Sequence, residues 1–191
     1  MNKTRLILTL GLIIIAVVCA VAVYRLSYPI KLNLATLGWQ TSEYLRHGDG
    51  PTRNVKFLGK GLVIDEIEYY LINVDDEFGY VRLEKGPLGR HRILNVGYGG
   101  GIFRPGIVDI NEKKYLLFAG LDSGGVIDEI TIEIQGSTYE LNTGTHRPFL
   151  AHTEIDPNTT AEYVDLDKIT LYDESGNDIT ANYDLSGGTF K

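Results

Sequence analysis

The chain has 191 residues, 25 of them acidic and 18 basic, for a formal net charge of −7. A single cysteine excludes a disulfide framework, and the acidic balance speaks against nucleic acid, which needs clustered positive charge. Beyond the first 25 residues there remain about 165, a one-domain length able to bury a fair core.

Leu6 to Tyr24 (LILTLGLIIIAVVCAVAVY) carries no charge. As a helix rising 1.5 Å per residue it crosses most of a ~30 Å hydrocarbon core, so a lipid bilayer is the expected partner of Leu6 to Tyr24. Two readings are open. In the first, the stretch is an uncleaved signal anchor: a single pass with Lys3 and Arg5 in the cytoplasm and the C-terminal domain outside the cell membrane. In the second, it is a signal peptide cleaved at Ala22, after Ala20-Val21-Ala22, and the domain is secreted. The anchor is favoured, because the apolar run continues past the small residues to Tyr24. Tyr24 and Tyr28 also suit a membrane–water interface, where a ring is half wet. Cys19 follows Val18 rather than a small residue, so it reads as a helix residue and not a lipidation site. All 25 acids and 15 of the 18 basic residues follow Arg25, a balance of −10. Anionic headgroups should repel such a domain, leaving attachment to the helix.

Residues 1–28 are thus read as cytoplasmic tip and anchor, 29–53 as a stalk, 54–182 as the β-rich domain and 183–191 as a tail. Within the stalk, Leu34 to Leu45 suggests a short helix with Leu37, Tyr44 and Leu45 on one side. Trp39 is expected to pack the stalk on the domain. His47-Gly48-Asp49-Gly50-Pro51 breaks the chain.

From Asn54 onward, strands alternate with turns. Expected strands are Val55–Leu58, a long Ile64–Val74, Tyr80–Leu83, His91–Val96, Ile107–Ile110, Tyr115–Phe118, a segment through Ile130, Ile132 and Ile134, Thr138–Leu141, Phe149–Ile155, Lys168–Tyr172 and Asp178–Thr180. Turns are expected at Asp75–Gly79, Glu84–Gly89, Asn111–Lys114, Gln135–Ser137 and Asp173–Asn177. Ile130, Ile132 and Ile134 alternate with polar residues, which predicts one buried face and one wet face. The pattern predicts a mainly β fold: an antiparallel β-sandwich or partly closed barrel, preceded by one transmembrane helix.

No motif commits the domain to a chemistry. Gly97-Tyr98-Gly99-Gly100-Gly101 is the most glycine-dense stretch. It lacks the third glycine of a dinucleotide loop, position 102 being Ile102, and the Gly-Lys-[Ser/Thr] of a phosphate loop. It is expected as a turning connection, with a ligand-facing loop as the sharper alternative. His146, His152, Glu154 and Asp156 could supply imidazole and carboxylate to a metal or to acid–base work. Their spacing matches no zinc pattern, and an exposed polar strand face explains them more simply. Asp173-Glu174-Ser175-Gly176-Asn177-Asp178 departs from an EF-hand loop, with its glycine fourth rather than sixth. Ser123 lacks the context of a nucleophile elbow, and His47 and His91 have no neighbours in sequence that single them out. No catalytic residue, cofactor or metal is therefore assigned.

The anchor followed by GRHRILNVGYGGGIFRPGIVDINEKKYLLFAG and DKITLYDESGNDIT resembles small, uncharacterised membrane-anchored proteins of Gram-positive bacteria, over Ile64 to Thr180. The resemblance implies export and an anchored β-domain, and no activity or site residue. The expected function is a non-catalytic binding, sensing or accessory module of the cell envelope, the alternative being an envelope hydrolase with an unrecognised carboxylate/His site. The sequence names no particular protein or envelope polymer as partner.

Overall fold

The computed structural model describes residues 3–46, 50–122, 124–144 and 148–185. Helix α1 (Lys3–Ser27) is apolar all round, and its large side chains from Ile7 to Val23 are exposed. Such a helix has no preferred face to bury and needs an apolar surrounding on every side. Its segment Ile7–Ser27 is long and apolar enough to cross a membrane.

Two residues separate α1 from strand β1 (Ile30–Lys31), and helix α2 (Leu34–Leu45) follows. The Asn33 side chain caps α2 by accepting from the Ala35 amide at 3.0 Å. Leu37, Thr41 and Ser42 are buried against the sheet, and the Ser42 hydroxyl donates to the Arg53 carbonyl at 2.6 Å. The stretch expected as a stalk is therefore packed on the domain. Trp39 departs from expectation: it is 65% exposed. Successive residues advance about 100° around a helix, so Trp39 stands opposite Leu37 and points away from the core.

Nine longer strands and one short one complete the described chain: β2 (Val55–Ile64), β3 (Ile67–Val74), β4 (Glu77–Lys85), β5 (Arg90–Gly99), β6 (Phe103–Ile110), β7 (Lys113–Gly120), β8 (Glu129–Ile134), β9 (Ser137–Asn142), β10 (Phe149–Ile155) and β11 (Ile169–Tyr172). All pairings among them are antiparallel, in the orders β1-β5-β4-β3-β2, β10-β7-β6 and β11-β8-β9. The fold is mainly β, a curled antiparallel half-barrel behind one N-terminal apolar helix.

Strands β3 and β7 are buried on both faces. Tyr70, Ile72 and Val74 face α2 with Val81 and Leu83, whereas Tyr69 meets Leu117 and Tyr115 of β7 on the other side. Leu116 and Phe118, on the opposite face of β7, enter the largest core with Phe149, Ile130, Ile132, Ile134, Ile169 and Leu171. The isoleucine alternation of β8 holds as read: the three are 0–5% exposed, while Thr131 and Glu133 lie on the wetter face.

The expected long strand from Ile64 to Val74 is divided at Asp65-Glu66, where Asp65 takes φ 53°. An aspartate tolerates that left-handed conformation, so a turn fits without glycine. Strand β2 is longer than expected and bulged after Phe57 and Lys60. The turn before β4 is tighter than expected. Asp75 and Asp76 alone make it, both at positive φ, as a two-residue hairpin requires, and Gly79 belongs to β4. Asp178 makes an isolated bridge to Tyr172 rather than a strand. The glycine-dense stretch is partly strand: β5 continues through Gly99, and the turn proper falls at residues 100–102, with Gly101 at φ 100°.

Candidate functional site

The residues singled out in sequence do not converge. His152 and Glu154 share the outward face of β10, but each has its own neighbour. His152 lies beside the Tyr115 ring at 6.2 Å, and partial burial holds its imidazole below the ordinary value. Glu154 pairs with Lys113 at 2.8 Å. Asp156, just past the strand, accepts from the amide of Asn158 at 2.8 Å and its side-chain nitrogen at 3.0 Å, closing a local turn. His146, His47 and Ser123 lie outside the described residues, and among the described residues no three metal-ligating side chains gather. Asp173 likewise organises its own turn, accepting from the amides of Ser175 and Asn177, both at 2.9 Å. The Asn177 side chain and these amides hold its carboxyl below the usual range. In the glycine run, Tyr98 packs on the core under α2, and the Arg104 guanidinium donates to the Gly100 and Phe103 carbonyls.

His91 does acquire a partner. It is 3% exposed on β5, and its Nε2 lies 3.4 Å from Glu68 Oε1 on β3. The other Glu68 oxygen accepts the Tyr70 hydroxyl at 2.5 Å. Burial first, then the bond to Glu68, pushes the Tyr70 phenol upward. His91 is far from Glu68 and Tyr70 in sequence, and β4, which carries none of the three, lies between β3 and β5. Spacing along the chain therefore held no signal for this cluster.

A concave surface lies where α1 enters the domain. It is an open groove of about 560 Å³, walled by Leu26 and Ser27 at the end of α1, Pro29 and Ile30, the outward face of α2 (Trp39, Gln40, Glu43, Tyr44), and Arg92 and Ile93 of β5. Sequence reasoning missed it, because it set Trp39 against the domain and Tyr44 on the side of Leu37, whereas both are exposed and wall the groove.

The junction beside this groove is tightly bonded. The Tyr28 hydroxyl donates to Glu84 at 2.8 Å, and the Arg90 guanidinium donates to the carbonyls of Tyr28 and Pro29. Arg92 binds Glu84 through two nitrogens, at 2.6 and 2.8 Å, and stands over the Tyr28 ring at 5.4 Å. Burial acts to raise the Glu84 carboxyl, but the bonds from Arg92 and Tyr28 outweigh it and hold the group below its ordinary value. No family model matches the chain, nor does any curated protein or solved structure. The chemistry of the groove must therefore be read from its own residues. Its lining is mostly apolar and aromatic, and its charged groups are engaged: Arg92 with Glu84, and Glu43 with Arg46 at 3.1 Å. Such a surface can hold an amphipathic ligand and offers no free acid–base pair of its own.

Proposed function

We infer that this protein is a single-pass, membrane-anchored β-domain on the outer side of the cell membrane, working as a non-catalytic binding or sensing module of the envelope with the junction groove as its binding surface. The bonded junction carries this reading. A helix uncharged from Leu6 to Tyr24 is clamped to the sheet through Tyr28, Glu84 and Arg90, so the groove is held at the level where the helix leaves the bilayer. A flexible stalk would have let the domain roam; this mount fixes one face toward the membrane. The same contacts favour an uncleaved anchor, because cleavage after Ala22 would remove most of the helix that the junction positions.

Protease added to intact protoplasts should degrade the domain, and the purified protein should keep its native N-terminus. Full protection of the domain would reverse the orientation, and a mature chain beginning at Val23 would establish secretion instead.

A further inference from the structure

The hairpin tip between β4 and β5, Gly86-Pro87-Leu88-Gly89, is exposed beyond Gly86. It lies against α1. The Leu88 amide donates to the Tyr24 hydroxyl at 3.1 Å, and Leu88 lines one hollow with Ala20, Val21, Tyr24, Arg25 and Arg90. Val21 precedes the helix end, Ser27, by six residues, about 9 Å along the axis. The 21 residues of Ile7–Ser27 span about 31 Å, close to the ~30 Å thickness of a hydrocarbon core. A helix that uses this length to cross the bilayer places Val21 below its surface, and Leu88 beside it. Leu88 is 77% exposed, an unfavourable place for a leucine in water.

The backbone of the tip fits the same setting. Lipid offers no hydrogen bonds, so irregular backbone enters it only with its polar groups satisfied. The Gly86 amide donates to the Arg90 carbonyl at 2.6 Å, and the Gly89 amide to the Gly86 carbonyl at 3.0 Å. Pro87 has no amide hydrogen, and the Leu88 amide is taken by Tyr24. Every backbone donor from Gly86 to Gly89 is thus used internally. Arg25 lines the same hollow and is exposed, placed to meet lipid phosphate while its stem lies along apolar surface; Arg90 lines it too, with its guanidinium held by the Tyr28 and Pro29 carbonyls. A separate groove opens at the end of the same helix, beside Leu26 and Ser27, and carries the exposed Trp39, a residue type suited to the headgroup level.

We propose that the Pro87-Leu88 tip and the Trp39 groove, both at the exit of α1, form a second membrane contact, occupied by phospholipid of the leaflet in which α1 ends, with acyl chain against Leu88 in the one and Leu26 in the other and phosphate toward Arg25. This rests on the anchored reading given above and specifies what the groove binds.

The full chain, reconstituted in phosphatidylcholine vesicles, tests it. Trp39 is the only tryptophan, so its emission reports the groove directly. Replacing part of the lipid by phosphatidylcholine brominated near the top of one acyl chain should cut Trp39 emission about twofold, as for a ring at the interface, while acrylamide in the water quenches weakly. A Leu88→Cys variant in a Cys19→Ser background, labelled with an environment-sensitive dye, should show blue-shifted emission that the brominated lipid also quenches. Water-like emission at both positions, in protein that floats with the vesicles and resists alkaline extraction, would overturn the lipid contact and leave the anchor standing. Protein that fails to float would overturn the anchor and the contact together.

Discussion

Gly79→Ala tests the register of β4 on β5 more severely than any change within the glycine-dense stretch. Gly79 lies opposite Tyr98. A Cβ on Gly79 would stand 2.1 Å from the Gly97 carbonyl oxygen and 2.7 Å from the Tyr98 Cα. Those are backbone atoms, so no side-chain rotation relieves the contact, and β4 cannot retreat because β3 is paired along its other edge. The strands must separate locally at the expense of hydrogen bonds and of the Tyr98 packing. Overpacking a tight site costs about 1–3 kcal/mol, and a clash with backbone atoms belongs at the upper end, about 3 kcal/mol. For a chain of this size that is a fall in Tm of about 6–12 °C. Gly97→Ala is the matched control. Its Cβ would meet only the Tyr80 ring, 3.7 Å away, an ordinary contact, so its stability should stay within about 0.5 kcal/mol. Thermal unfolding of the full chain in detergent, followed by circular dichroism in the far ultraviolet, measures both. A neutral Gly79→Ala, or a Gly97→Ala as damaging as Gly79→Ala, would mean that β4 and β5 are paired differently.

Two further outcomes follow from the core and from a surface carboxylate. Ile132 is 0% exposed, opposite Tyr139 and Ile169 in the sheet, so Ile132→Asp buries an unpaired carboxylate and should cost more than about 4 kcal/mol. Glu133→Ala on the wet face, removing an exposed pair with Lys168, should change stability by less than about 0.5 kcal/mol; equal effects in the same melts would put the strand in the wrong phase. The Asp75 carboxyl is held below its ordinary value, first by the Asn54 amide and then by the Arg53 guanidinium. A lowered folded pKa gives stability that is present above the unfolded value of about 3.9 and lost as pH falls through the folded one. Asp75→Asn should therefore lower Tm at neutral pH and differ progressively less from the parent as acid is added; a gap that widens in acid would refute the assignment.

What could be read in advance was whatever depends on local pattern. The apolar run, the α2 bounds at Leu34 and Leu45, and the alternation of β8 each come from side chains within one segment, and the structure contains all three. The errors arose where strands meet. Glycine density after Val96 suggested a loop, yet the extended backbone of Gly97 and Gly99 serves β5, and the close approach it permits is registered at Gly79 on the neighbouring strand. Asp65 and Asp75-Asp76 turn the chain without glycine, so punctuation by glycine and proline misplaced one turn and missed another. The Glu68–His91–Tyr70 cluster and the junction groove depend on pairing between β3, β4 and β5 and on where α1 ends, which no window of sequence contains.

Net charge also misleads when it is assigned to a whole domain. The balance of −10 after Arg25 argues for repulsion from anionic headgroups only if it is spread evenly, because charges interact across water over about 10 Å at ordinary salt. Near α1 the distribution is different. Arg25 and Arg90 line the hollow beside Leu88, Arg92 lines the groove, Lys85 lies next to Tyr28 and Pro87, and Lys31 is exposed on β1. Of the neighbouring carboxylates, Glu84 is paired with Arg92 and Glu43 with Arg46, while the exposed Asp65 and Glu66 lie beside Lys85 and Tyr28. Acids such as Asp173 and Asp178 lie in the last hairpin, whose strand β11 belongs to a different sheet from the strands that meet α1. Under the lipid contact proposed above, the cations gathered at the helix exit would draw that face to anionic headgroups, and the acids of the remote hairpin would oppose a roll that brought it down instead. Under the same proposal Leu88 and Leu26 would add apolar contact that salt does not screen, so shape and burial would set the orientation first, with charge selecting among the remaining rotations.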